Sequence, residues 1–419
     1  MANETKQKAP RRYEKMRDSG VEWIGTVPEH WQVRPVKAYY KIVTGFTPPS
    51  KQDDLYDDNG EIWVTISDMV TPIIKNSKQH ITVDYALTHI KEKVPKGSLL
   101  YSFKLSVGNV AIAGTELYTN EAIASFIPSD TISIPFLKYS SSLIVGNAVQ
   151  NIYGAAIMNQ QRILNAPIVF PPLSEQNIIA EYLEKKCKDI DIVIAEAKAS
   201  IEEYKAWKSS IIYEAVTKGL DPTAEMKDSG VDIIGTIPAH WKSSRLKFLC
   251  SIMTGNQDTQ NAVPDGEYPF YVRSPIVERS NVYTFDGEGI LMAGDGAGAG
   301  RVFHHAFGKY AIHQRVYCFY NFRETVSDYL FFYMSELFSK EMDRGSAQST
   351  VPSVRMPMIT NFVVCLPPIS EQNEIVSYLK KRIDSIESII QAKEELIADL
   401  ESYKKSLIYE VVTGKRKVV

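Results

Sequence analysis

The chain has 419 residues, 44% of them hydrophobic and 23% charged, with a formal net charge of −3. That length accommodates two or three domains, and the composition excludes wholesale disorder, collagen-like repetition and a uniformly basic nucleic-acid coat, though not a local basic face. No run of 18 apolar residues occurs, so no membrane span is expected. The segment Met1–Arg17 is polar and basic and lacks the apolar centre of a secretory signal. Cys187, Cys250, Cys318 and Cys365 lie far apart with no CxxC spacing. That pattern points away from zinc and a disulfide framework and towards a reducing cytoplasm.

The chain repeats itself. Residues 17–31 read RDSGVEWIGTVPEHW, and residues 227–241 read KDSGVDIIGTIPAHW. Residues 171–177 read PPLSEQN and residues 367–373 read PPISEQN. The plan is therefore a short constant motif, a variable block (32–170, then 242–366), Pro-Pro punctuation and a long helix, run through twice. It divides the chain into segments 1–170, 171–219, 220–366 and 367–419. The variable blocks differ in sequence but keep echoes: Gly97-Ser98-Leu99-Leu100 parallels Gly289-Ile290-Leu291-Met292, and Asn120-Glu121-Ala122-Ile123 parallels His313-Gln314-Arg315-Val316.

In chain order, the alternating run Ile62-Trp63-Val64-Thr65-Ile66 reads as a strand of the first block, as does Arg315–Phe319 in the second. Ser327–Glu341 reads as a helix, with Tyr329, Leu330, Phe332, Tyr333 and Leu337 at helical spacing. Each block is expected to be α/β with an irregular sheet. Pro171-Pro172 blocks helical geometry, so Ser174 is the expected N-cap of a helix running to about Lys218, with Gly219 beyond it. Glu175 and Gln176 fall in the first turn, where negative charge suits the helix dipole. Ser370, Glu371 and Gln372 open the second helix, which runs to Thr413.

Each helix spans some 44 residues, roughly 66 Å at 1.5 Å per residue. Leu183, Ile190, Ala197, Tyr204 and Ile211 recur every seven residues, with Cys187, Ile194, Ile201 and Ala215 four residues on. Leu379, Ile386, Leu400 and Leu407 recur with Ile383, Ile390, Ile397 and Val411 in the second. This 3.5-residue period predicts a coiled coil, each helix being the other's simplest antiparallel partner. Lys208 and Lys404 interrupt one stripe at matching positions, and Lys393 the other. The coil would fix the separation of the variable domains.

Motifs for chemistry are sparse. Gly294–Gly300 (GDGAGAG) resembles a phosphate-cradling loop, but Arg301-Val302-Phe303 after it reads as a strand, where a nucleotide site needs a helix. His304-His305 and His313 lack carboxylates or cysteines at metal-ligand spacing. No GxSxG or HExxH occurs, and none of the three Pro-Pro pairs stands in the Asn/Asp-Pro-Pro-aromatic setting of adenine methyl transfer. What remains are polar loops: Ser102, Lys104, Asn109, Gln160, Gln161 and Arg162 in the first block, and Arg301, His304, His313, Gln314, Arg315, Gln348, Ser353 and Arg355 in the second. Arg, Asn and Gln read base edges, while Lys, Ser and Thr hold phosphates.

The duplicated DSGVEWIGTVPEHW and DSGVDIIGTIPAHW motifs, the PPLSEQN and PPISEQN helix starts and the YEAVTKG and YEVVTGK helix ends resemble the specificity subunits of type I restriction-modification enzymes, the HsdS family. The resemblance covers essentially the whole chain. It implies two tandem α/β target-recognition domains separated by two long helices in an antiparallel coiled coil, with a pseudo-two-fold internal repeat. Each domain would read one half of a split, asymmetric site in double-stranded DNA. The helices would hold two methyltransferase subunits, with Ser174, Glu175, Gln176, Leu183, Ile190, Ile194 and Ile201 of the first helix and Ser370, Glu371, Gln372, Leu379, Ile383, Ile386, Ile390, Ile397 and Leu400 of the second as docking or coil residues. Two restriction-translocase subunits would complete the assembly. It further implies no catalysis in this subunit. S-adenosylmethionine, ATP and Mg would sit on the partners, which methylate adenine at N6. Two other readings stay open: an enzyme using the Gly294–Gly300 loop, and a coiled-coil adaptor between protein-binding domains.

Overall fold

A computed structural model describes residues 12–49, 52–89, 92–104, 106–150, 156–345 and 353–418. The chain forms two compact units. One joins residues 1–196 to 396–419; the other is the continuous stretch 197–395. The division falls inside both long helices, Leu173–Lys218 and Ile369–Val412. Among the described residues no helix is long and apolar enough to cross a membrane.

Each constant motif folds as a hairpin, Met16–Asp18 against Thr26–Pro28 in one unit and Met226–Asp228 against Thr236–Pro238 in the other, in the same register. Asp18 Oδ1 accepts the Gly20 N–H and Asp228 Oδ1 the Gly230 N–H, both at 2.9 Å. The glycines sit at φ 71° and 72°, a left-handed conformation that a side chain would strain. The tryptophans that close the motifs, Trp31 and Trp241, are buried.

The strand after each motif pairs with the strand before the following helix: Gln32–Pro35 with Pro167–Phe170, and Lys242–Arg245 with Val363–Leu366. A variable block therefore enters and leaves its unit side by side. Between those points the two blocks share one topology. In the first, the main sheet runs Ile42–Thr44, Ile123–Phe126, Leu99–Ser102, Val110–Ala113, and in the second Ser251–Thr254, Val316–Tyr320, Gly289–Ala293, Phe303–Ala306. All these neighbours are antiparallel. The first sheet adds Ile73–Ile74, parallel to Val110–Ala113.

The sheets correct the sequence reading at three points. Leu99 lies opposite Phe126 and Ile290 opposite Phe319, so Leu99 corresponds to Ile290, one residue from the echo read in the sequence. The strand through Ile62 stops at Val64, because Thr65 opens a one-turn 3-10 helix, Ile66–Asp68, by capping it. Both long helices start one residue before the expected cap serines. The first helical bonds run from Gln176 N–H to the Pro172 carbonyl and from Gln372 N–H to the Pro368 carbonyl, so Ser174 and Ser370 lie inside the first turn.

In the discontinuous unit, Cys187, Ile190 and Ile194 of the first helix share a core with Ile397, Leu400 and Leu407 of the second, and Lys404 Nζ lies 2.6 Å from Asp191 Oδ1. In the continuous unit, Ile211 and Ala215 share a core with Ile383 and Ile386, Lys208 Nζ lies 2.6 Å from Glu387 Oε1, and Lys393 Nζ lies 5.8 Å from the Tyr204 ring centre. Within each unit rising numbers on one helix meet falling numbers on the other, so the pair is antiparallel. Lys208 and Lys404 are thus neutralised by acids flanking the seam, while Lys393 faces an aromatic ring.

The PPxSEQ motif has a role its helix position does not reveal. Glu175 accepts from Trp31 Nε1 (3.0 Å) and Tyr13 OH (3.0 Å) and meets His30 Nε2 at 2.7 Å. Glu371 accepts from Trp241 Nε1 (3.0 Å) and meets His240 Nε2 at 2.8 Å. Gln176 and Gln372 are fully buried. Gln176 Oε1 accepts the Ser133 N–H and its Nε2 donates to the Pro171 carbonyl; Gln372 does the same with Val326 and Pro367. One dipeptide thus ties constant motif, variable domain and long helix together. Gln372→Leu would strand the Val326 N–H and the Pro367 carbonyl in the core, and each unsatisfied buried group costs about 1–3 kcal/mol. The expected loss is ~2–4 kcal/mol in chemical denaturation, with Gln176→Leu matching it in the other unit.

Candidate nucleic-acid interface

Each main sheet delivers loops to one end. In the discontinuous unit the strand Leu99–Ser102 leads to Phe103 and Lys104, which touch the segment before Ile123 through the bond from Phe103 N–H to the Ala122 carbonyl (3.0 Å). Lys104 Nζ lies 2.9 Å from Glu121 Oε1, and the Thr47 hydroxyl donates to Glu121 Oε2. The Thr47 hydrogen bond, then Lys104, holds the Glu121 carboxyl below the usual carboxylate range. Asn109 Nδ2 donates to the Met69 carbonyl at 3.1 Å. Gln160 and Gln161 are exposed on the short helix Gln160–Asn165, which Asn159 caps. Arg162 is half-buried, its Nη1 donating to the Asn147 carbonyl at 3.3 Å. Ser102 is fully buried in its strand, which corrects its assignment as a DNA contact: no duplex reaches it while the sheet is intact.

The continuous unit builds the same place differently. Gly294 N–H donates to the Arg315 carbonyl (2.8 Å), and Val354 N–H to the Gly294 carbonyl (2.8 Å). Asp295 is central. Its Oδ1 lies 3.0 Å from Arg273 Nη1, its Oδ2 lies 3.7 Å from Arg315 Nε, and its backbone bridges Ser353. Gln314 Nε2 donates to Asp258 Oδ2 at 2.6 Å, and Arg301 Nη2 lies 2.6 Å from Asp343 Oδ1. Ser353 and Arg355 are exposed. His304 is half-buried with Nε2 3.1 Å from the Ser274 carbonyl, and burial lowers its pKa. His313 corrects the sequence reading. It is 2% exposed, stacks on Phe270, accepts the Arg315 N–H at Nδ1 (2.9 Å), and burial lowers its pKa. It shapes the loop from within and presents no face to a ligand. Gln348 lies outside the described residues.

Gly294 and Gly298 of the 294–300 loop serve close packing. A Cβ on Gly298 would lie 2.5 Å from the Arg273 carbonyl oxygen, and one on Gly294 2.9 Å from that of Arg315. The loop continues into the strand Phe303–Ala306, so it offers phosphate no helix N-terminus. Among the described residues no three His, Cys, Asp or Glu side chains are placed to hold a metal ion.

The helix residues named from sequence fall into two groups. Leu183, Ile190, Ile194, Ile201, Leu379, Ile383 and Ile386 are buried, and Ile390, Ile397 and Leu400 half-buried. Glu175, Gln176, Glu371 and Gln372 serve their own units as described. Ser174 and Ser370 are exposed. Sequence reasoning missed Arg273 and Asp295. The pairing of Asp295 with two arginines needs the loop's fold, and no spacing in the sequence signals it.

Two like units with unlike loop surfaces define a tandem recognition scaffold. The family model described as "Type I restriction modification DNA specificity domain" matches residues 28–203 and 238–398, and the chain belongs to that family, the HsdS specificity subunits. It is 28% identical to the EcoDI specificity subunit of Escherichia coli over 184 residues, 43% of this chain and 40% of that protein. It is 24% identical to the putative MjaX specificity subunit of Methanocaldococcus jannaschii over 427 residues, 94% of this chain and 96% of that one. The fold matches a chain solved in work on complex assembly and conformational transition of the type I R-M system, with TM-score 0.70 and 16% identity over 93% of this chain and 99% of that one. It also matches the HsdS subunit of Thermoanaerobacter tengcongensis, with TM-score 0.51 and 16% identity over 93% and 98%.

Arg315 is the most accessible of the arginines gathered at Asp295, its side chain 66% exposed. Arg315→Ala is expected to weaken specific duplex binding by ~1–3 kcal/mol and relax preference at one base pair. A uniform loss across sequences with a shallower salt dependence would assign it to phosphate instead.

Proposed function

We infer that the chain is the DNA-recognition subunit of a type I restriction-modification assembly, each unit reading one half of a split, asymmetric duplex target. One observation carries this. Each variable block enters and leaves through paired strands on a constant frame, the sheet order inside is shared, and the loop side chains differ: Lys104 and Glu121 in one unit, Asp295 with Arg273 and Arg315 in the other. Identical frames bearing unlike reading loops suit an asymmetric site.

In this reading the chain performs no chemistry. S-adenosylmethionine binds two methyltransferase partners that act on adenine N6, ATP and Mg belong to two translocating endonuclease subunits, and the assembly works in the cytoplasm. Two equivalent copies of a partner suit the apolar residues exposed on the long helices. Val193 and Tyr403 stand out in one unit, Ile389 and Trp207 in the other, and each residue of the first pair has its counterpart in the second 196 positions away. A duplex groove shared with the partners accounts for the neutral net charge.

Exchanging residues 32–170 for another such block is expected to change one half of the methylated motif and spare the other, read by modification-sensitive sequencing of the source genome. A change in both halves, or in neither, would refute the modular reading, and assembly without any sequence preference would favour a structural adaptor. The coil should act as a ruler. One heptad after Ala197, with a matching heptad after Leu396, keeps both Asp191–Lys404 and Lys208–Glu387 and lengthens the pair by roughly 10 Å. The unread gap should grow by about three base pairs, since base pairs stack every ~3.4 Å; an unchanged gap would sink the ruler.

A further inference from the structure

Among the most exposed large apolar side chains are Val70, at 80%, and Ile276, at 71%. They lie in different units and in stretches of unlike sequence, Thr65–Val70 and Val272–Val277. The smaller sheets nevertheless start both loops from corresponding strand ends. Val64 pairs in parallel with Thr119, and Tyr271 in parallel with Ile312. Each loop leaves the end of its parallel ladder, reaching Val70 six residues after Val64 and Ile276 five after Tyr271.

Neither side chain is exposed because its loop is loose. Asp68 and Met69, just before Val70, are buried. Asp68 Oδ2 accepts the Thr65 N–H and hydroxyl at 2.8 Å each, and its Oδ1 accepts the Lys78 N–H at 3.0 Å. Ser274 Oγ accepts the Ile276 N–H at 3.0 Å and donates to the Ile276 carbonyl at 3.1 Å. Both loops also touch the polar groups described above. Asn109 donates to the Met69 carbonyl, and Arg273, three residues before Ile276, pairs with Asp295. Lone exposed aliphatics are ordinary on any surface. Two in loops that leave corresponding strand ends, on anchored backbones of different sequence beside polar loop groups, are not.

We propose that Val70 and Ile276 are specificity residues, each meeting the 5-methyl group of a thymine in the half-site read by its own unit. This rests on the reading of the chain as a DNA-recognition subunit. Base edges in the major groove present hydrogen-bond donors and acceptors and one apolar group, the thymine methyl. A branched aliphatic held out on a fixed loop matches that group, and Asn109 and Arg273 match the polar edges beside it. The contact adds an apolar reading of thymine to the hydrogen-bond reading that the arginines, lysines and amides supply.

The test uses the complex of this chain with its methyltransferase on duplexes carrying its mapped target. Each thymine is replaced in turn by deoxyuridine, which lacks only the methyl. One replacement in each half should lower affinity ~3–5-fold, the worth of one buried methyl. Val70→Ala should abolish the deoxyuridine sensitivity of one half and leave the other intact, Ile276→Ala should do the converse, and Val70→Ile should retain it. Both sites are exposed, so truncation removes no core contact. The proposal is overturned by a half-site without a thymine, by indifference to every deoxyuridine in a half, or by sensitivity that survives Val70→Ala. If the unaltered complex binds all duplexes alike, the recognition reading itself fails.

Discussion

The structure depends on a carboxylate and an amide placed at the start of each long helix. Glu175 and Glu371 gather the indole N–H and imidazole of the constant motif, while Gln176 and Gln372 satisfy backbone groups of the variable domain. Buried polar groups are costly unless paired, and low dielectric makes satisfied ones strong and directional. A two-residue joint therefore sets where a recognition domain stands on its helix. Apart from the hydroxyls of Tyr13 and Thr325, its partners are constant-motif side chains or backbone, so the joint is indifferent to the side chains of the reading loops it positions.

That indifference allows one scaffold to carry unlike surfaces. The main sheets have the same strand order, and the equivalent of Lys104 in the other unit is an aspartate, Asp295. Reversing the charge there is tolerated because each loop is held by backbone bonds, Phe103 to Ala122 in one and Gly294 to Arg315 in the other. Fold is specified by the frame and by close-packed glycines; recognition is left to side chains that the frame does not need.

Much of this was legible in the sequence, for reasons of periodicity. The repeated motifs, the heptads and the helix ends are local and regular, and the seam lysines mark themselves by interrupting a stripe. Features that depend on tertiary surroundings were not legible. Ser102 stands in a strand buried on both faces, where inside and outside no longer alternate, so its hydroxyl reads falsely as exposed. His313 sits among loop polars yet packs on Phe270. Glu175 and Glu371 look like dipole-complementing residues until the tryptophans they hold are seen. Asp295 and Arg273 are separated by 22 residues and meet only through the folded loops. Val70 and Ile276 escaped because a search for base readers by polar chemistry passes over aliphatics.

The discontinuous unit has a consequence for biosynthesis. Its core joins Ile24, Val27 and Trp31 to Leu407, Val411 and Val412, and Lys415 reaches back to the Ile24 carbonyl. The continuous unit, by contrast, needs nothing that follows residue 395 in the chain. On the ribosome the second recognition domain can therefore complete its core first. The first must keep its apolar hairpin uncovered until residues 407–415 emerge. The order in which the halves mature thus inverts the order in which they are made, and the N-terminal hairpin is the surface a chaperone would have to shield in the interval.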